Sequence, residues 1–200
     1  GGNDRALQAQ YGILLGRLLD AALPAWRLPV APHDTTGRPI KVGFASCFIR
    51  DCTVGHYFRS WMTQLDRQDF QVEVFLLGGL EDALTAEIRS QVAACTRVEG
   101  TLSEVARHIY DARLDVLIYP ELGMNGRALA LAGLRLAPLQ CAAWGHPVTP
   151  GIDAIDVYFS CAPMEIERDE AALHYTERLA LLPGLGTCYA PPASQGVLDR

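Results

Sequence analysis

Short apolar runs alternate with amphipathic stretches along most of this sequence. That alternation limits the possible folds more than any other feature. Residues 40–45, 70–77 (FQVEVFLL), 114–119 (LDVLIY) and 139–144 (LQCAAW) are rich in β-branched, aromatic and aliphatic side chains, and each reads as a strand. Residues 96–99, 156–160 and about 178–182 are weaker strand candidates. Between them, Val54, Phe58, Trp61, Met62 and Leu65 fall on one helical face, and Leu84, Ile88 and Val92 recur every four residues within 81–94. Thr101 and Glu104 have the spacing of a capping box that opens a helix to about 112, and shorter helices are expected over 127–134 and 167–174. Strands without polar alternation are buried on both faces. The expected fold is therefore α/β: a Rossmann-like, mainly parallel sheet with helices on both sides.

The N-terminal segment follows another pattern. Leu7, Tyr11, Leu14, Leu15, Leu18 and Leu19 recur at helical steps over 3–22, and Pro24 ends the run. Residues 24–39 hold four prolines and the polar stretch HDTTGR, which reads as a linker. The expected organisation is a helical appendage over 1–23, a linker over 24–39 and the Rossmann-like lobe over 40–200.

Composition narrows the function classes. A formal net charge of -6 gives no general basic field for nucleic acid. No apolar run approaches the roughly 18 residues of a membrane span. Six scattered cysteines without a Cys-x-x-Cys pair read as buried, reduced thiols, and no signal peptide is recognisable, so a cytoplasmic location is expected.

In a parallel sheet, ligands bind beyond the carboxyl ends of the strands, so three loops carry the functional reading. The first, SCFIRDCT, has neither a dinucleotide glycine fingerprint nor a Walker A motif. Thr53 or Asp51 is expected to cap the following helix, whose positive end suits an anion. Cys52 would lie in that field, and Arg50 could meet a phosphate. Cys47, Cys52 and His56 do not have standard zinc spacing. The second loop, YPELGMNGR, places Glu121 just past a buried strand, as a base or hydroxyl acceptor in a cleft, or else as a solvated turn acid or helix cap. The third, WGHPVTPG, fixes its backbone with glycines and prolines, and its polar groups are His146 and Thr149. His146 reads as a general base or a sugar or phosphate ligand, or else as a structural turn residue. His33, His108 and His174 are expected at the surface.

The runs KVGFAS…VGHYF, DVLIYPELGM, LRLAPLQCAAWGHPVTPGIDAIDVYFS and HYTERLALLPGLG, spread over about residues 40–192, resemble the O-GlcNAc transferase/SPINDLY-like glycosyltransferases, bacterial members most closely. The resemblance implies one lobe of a GT-B enzyme that moves GlcNAc or glucose from UDP-GlcNAc or UDP-glucose to a protein side chain, inverting and without a metal or other cofactor. The absence of an Asp-x-Asp motif agrees with that. The resemblance further implies a tetratricopeptide-type region ending at 1–23 and a C-terminal lobe that supplies most UDP contacts. Taken together, the loop reading and the resemblance leave His56, Cys52 and His146 as candidate catalytic residues, and Arg50, Glu121, Gly145, Pro147 and Thr149 as candidate substrate-binding residues. The expected partners are an acceptor protein or peptide and the C-terminal lobe. Two departures stand out. Cys52 fills a position where the family usually has histidine, and the sequence stops near Arg200, before a second lobe. The lobe alone is expected to be inactive and to bind UDP weakly. The alternative is a non-catalytic binding or scaffold module on the same fold, which the Cys52 departure favours. Bacterial adhesin-modifying N-glucosyltransferases share a GHP-type loop, so the third loop leaves the donor sugar open.

Overall fold

The computed structural model describes residues 3–166 and 168–188. Glu167, at the start of the last expected helix, and 189–200, at the end of the expected lobe, lie outside the described residues.

The strands are β1 (Ile40–Ser46), β2 (Phe70–Leu76), β3 (Ala94–Arg97), β4 (Val116–Tyr119), β5 (Leu139–Ala143), β6 (Val157–Cys161) and β7 (Arg178–Leu182). All pair in parallel, in the order β3-β2-β1-β4-β5-β6-β7. The chain winds outward one way from β1, returns to the centre through α4 (Leu102–Asp111), and winds the other way from β4. Right-handed crossovers then put the helices of the two halves on opposite faces. Accordingly α2 (Thr53–Thr63) packs on α3 (Ala83–Gln91), and α4 packs on α5 (Gly126–Ala132). The direction reverses between β1 and β4, and such a switch point is where open α/β sheets bind ligands. Phe44, Phe58, Ile88, Ile109, Leu117 and Leu131 are among the core residues with almost no solvent contact.

Several element boundaries shift for local reasons. The capping box at Thr101 and Glu104 forms as expected. A second one, between Asp82 and Thr85, starts α3 at Ala83 rather than at 81. That helix stops at Gln91 because Ala93 donates its N–H to Val72, and Ala94 then begins β3, earlier than the expected 96. β4 starts at Val116 rather than 114. Before it, Asp115 uses its carboxylate to accept two hydrogen bonds from Arg38 and one from the Lys41 amide. His33, expected at the surface, packs 3.3 Å from the same carboxylate. His108 and His174 are exposed as expected, His108 with its ring edge-on to Phe75 at a ring separation of 6.2 Å. The last expected helix is α6 (Arg168–Ala171), continued by a 3-10 turn at Ala172–His174.

The N-terminal helix, α1 (Arg5–Ala22), packs by a face that carries only part of its leucine series. Gly12, Gly16 and Leu19 are buried, while Leu7, Tyr11, Leu14 and Leu18 face outward. The cause is close backbone approach: a Cβ on Gly12 would lie 1.7 Å from the Gly151 carbonyl oxygen. Arg27 then ties the 24–39 segment to Asp20, Asp153 and the Gly133 carbonyl. Of the cysteines, Cys141 and Cys161 are buried, Cys47, Cys52 and Cys95 half-buried, and Cys188 exposed; all are free thiols. Among the described residues, no helix is long and apolar enough to cross a membrane.

Candidate functional site

The three loops singled out in the sequence leave the sheet side by side. β1 pairs β4 and β4 pairs β5, so the loops after Ser46, Tyr119 and Ala143 emerge at adjacent positions on the carboxyl edge. Glu121 joins the first two. The sequence allowed a solvated acid or helix cap there; the structure instead buries Glu121 to 2% exposure. Its Oε1 accepts the Cys47 amide at 3.3 Å, and its Oε2 has no partner among the described residues. Burial drives the carboxyl up to about 7, against a downward pull from the Ser46 hydroxyl and the Cys47 amide.

The first loop is braced from its side chains. Ser46 Oγ accepts the Phe48 amide, Asp82 accepts the Asp51 amide at 2.6 Å, and Thr85 donates its hydroxyl to the Ile49 carbonyl. The expected cap at Thr53 or Asp51 does not form. Cys52 is the N-cap, in extended conformation, and its thiol donates back to the Phe48 carbonyl at 3.3 Å. A Cβ on Gly55 would lie 2.0 Å from the Arg50 carbonyl oxygen, so the first turn of α2 sits directly on the loop. His56, half exposed, places Nε2 2.7 Å from Asp51, and the Arg50 guanidinium lies 5.9 Å from the centre of the Phe48 ring. The Cys47 thiol turns to the Leu77 carbonyl, and burial pushes it up to about 11. Cys47, Cys52 and His56 thus point to three different partners. Among the described residues, no group of three or more His, Cys, Asp and Glu side chains is placed to hold a metal ion.

The third loop folds onto the second. Gly145 donates its N–H to the Pro120 carbonyl at 3.0 Å, and a Cβ there would meet that oxygen at 2.5 Å and the Glu121 Cβ at 3.1 Å. His146 lies against Gly123, whose φ of +110° favours glycine. Tyr158 donates its hydroxyl to the His146 carbonyl at 2.7 Å, while the buried His146 Nδ1 has no partner among the described residues. Pro147 is exposed. Thr149, expected to offer a polar group to the cleft, is turned inward and donates to Glu177 at 2.7 Å; the Gly151 amide donates to the same carboxylate. Thr149 therefore fixes the loop's shape.

Sequence reasoning missed several supporting residues. Trp144 packs on Tyr57 and Phe58 at ring separations of 5.0 and 4.9 Å, which clamps α2 over the third loop. Glu177 lies 28 positions from the threonine it holds, a pairing without a local signal. Trp144 was legible as the end of a strand, but its contact with α2 follows only from the sheet order.

No family model matches the chain. Its sequence is similar to two probable UDP-N-acetylglucosamine–peptide N-acetylglucosaminyltransferases named SPINDLY. The relative from Arabidopsis thaliana is 23% identical over 80% of this chain and 18% of the relative. The relative from Eustoma exaltatum is 24% identical over 98% of this chain and 21% of the relative. The chain thus spans about a fifth of the length of these curated relatives. Its fold matches a mutant of the Thermobaculum terrenum O-GlcNAc transferase with a TM-score of 0.72 and 24% identity, covering 90% of this chain and 35% of that one.

Proposed function

We propose that these residues form the acceptor-side lobe of a UDP-sugar-dependent protein glycosyltransferase that moves GlcNAc or glucose to a protein side chain. The reading rests on the similarity to SPINDLY-type enzymes and on one structural observation. The loops after β1, β4 and β5 meet at the switch point of the sheet, around a buried carboxyl with one oxygen unpaired among the described residues. The transfer is proposed to invert the anomeric centre and to use no metal; the sequence has no Asp-x-Asp pair.

Transfer needs the acceptor atom, the anomeric carbon and the leaving diphosphate in line, and positive charge or N–H groups on the diphosphate. The amino end of the eleven-residue α2, with Arg50 and His56 beside it, suits a phosphate. Glu121 and His146 suit hydroxyl groups, with Gly145 and Pro147 shaping the wall and Thr149 holding it. The Cys52 thiol, engaged with the Phe48 carbonyl, does not take over an imidazole's role. One lobe supplies one side of such a cleft, so the 200 residues alone are proposed to bind UDP weakly and not to turn over.

The test is transfer of radiolabel from UDP-GlcNAc and UDP-glucose to a peptide mixture. The expected result is labelled peptide with the full-length protein and none with this chain alone. Robust transfer by this chain alone contradicts the one-lobe reading. No transfer by the full-length protein, together with retained peptide binding, supports the scaffold module instead.

A further inference from the structure

The four candidates for moving a proton at this edge are in different states. His56 has its Nε2 on Asp51 and stands half in solvent, and the Cys52 thiol is spent on a backbone carbonyl. His146 Nδ1 has no partner among the described residues, but its ring is wedged against Gly123. Glu121 combines three properties: it sits at the switch point, one oxygen is held by the Cys47 amide, and the other is shielded from water with no partner among the described residues.

We infer that Glu121 is the proton acceptor of the transfer, and that the group it deprotonates is an aliphatic hydroxyl of the protein acceptor. This rests on the glycosyltransferase reading above. In the step, the hydroxyl O–H bond breaks and its proton passes to Glu121 Oε2. The oxygen forms a bond to the anomeric carbon of the nucleoside diphosphate sugar. The bond from that carbon to the diphosphate oxygen breaks, and its electron pair leaves with the nucleoside diphosphate. The carboxyl then returns the proton to water.

The surroundings fit this role. A base works best when it titrates near the working pH, and burial puts Glu121 at about 7. The titratable or charged groups facing it are few. The β1 loop brings Cys47, held as a neutral thiol, and the β5 loop brings His146 against the Glu121 turn. From α5, Arg127 acts on Cys47. From α2, the Phe58 ring meets the same glycine, Gly145, that touches Glu121. The free oxygen is covered by the loops themselves. The role therefore requires the 120–125 turn to move aside for the acceptor hydroxyl, since Glu121 is buried in this structure.

The experiment is the pH dependence of kcat/KM for transfer from a UDP-sugar to serine- and threonine-containing peptides by the full-length protein. Wild type should rise about tenfold per pH unit below an apparent pKa near 7 and level off above it. Glu121→Gln should lower kcat by about 10²–10⁴-fold, abolish that rise and leave peptide binding in place. A flat wild-type profile from about pH 5.5 to about pH 9, or a Gln variant within about threefold of wild type, overturns the assignment. If the Gln variant does not fold, the wild-type profile decides. No transfer by wild type overturns the transferase reading itself, and this role with it. Wild-type transfer that Glu121→Gln leaves intact overturns only the role of Glu121.

Discussion

Replacing Glu121 with glutamine removes a carboxyl whose charge the fold disfavours, and the consequence for stability can be worked out independently of any activity. Its ordinary value is 4.5, and in the fold it sits at about 7. The folded state therefore binds this proton more tightly than the unfolded chain does. Between these two values, stability falls as pH rises, by about 3 kcal/mol in total at about 1.4 kcal/mol per tenfold change in affinity. Glutamine does not titrate, so the variant lacks this slope. Its amide can still accept the Cys47 N–H but leaves an NH₂ group short of partners, at a cost of about 1 kcal/mol. The two effects predict a crossover. Glu121→Gln should be about 1 kcal/mol less stable than wild type near pH 4, and about 2 kcal/mol more stable near pH 8. Urea unfolding followed by tryptophan fluorescence at a series of pH values measures this, since every other group cancels between the two proteins. Parallel stability curves for wild type and variant would refute the burial argument.

Further outcomes follow from the same structure. Phe58→Ala, at a fully buried ring that touches Trp61 and Trp144, should cost about 3–5 kcal/mol in urea unfolding. Asp115→Ala leaves Arg38 and the Lys41 amide without their acceptor and should cost about 3 kcal/mol at neutral pH. The Arg38 guanidinium holds the Asp115 carboxyl down to about 2, so its contribution is present above about 3.8 and is lost as pH falls through about 2; acid unfolding of wild type against the variant checks that window. Gly12→Val should lift α1 off the 151 turn, with faster hydrogen exchange over residues 5–22 and the sheet amides unchanged.

The sheet was readable in the sequence because its strands are short runs rich in aliphatic and aromatic residues: β2 and β7 lie within one residue of where their composition puts them. The weak β3 was misplaced by two residues, since a four-residue edge strand is set by pairing with β2 rather than by its own pattern. The three loops were legible from the strand ends that precede them, and the β1–β4–β5 adjacency explains why they converge. What these side chains do was less legible. A glutamate between proline and glycine looks like a turn acid until the fold shows that the β1 loop closes over it. Thr149 looked like a cleft group, and its turn toward Glu177 depends on a contact made across two strands. In α1, leucine spacing revealed the helix but not its packed face, which centres on glycines that let two backbones touch.

The most direct test of the proposed site is a titration of this ¹⁵N-labelled chain with UDP-GlcNAc and UDP-glucose, followed by amide chemical shifts. Weak, unsaturated shifts at millimolar donor, confined to the 46–56, 119–126 and 144–151 amides, are the predicted result. Shifts confined to the opposite edge around His33, Arg38 and Asp115, or to α1, would contradict a donor site at the switch point.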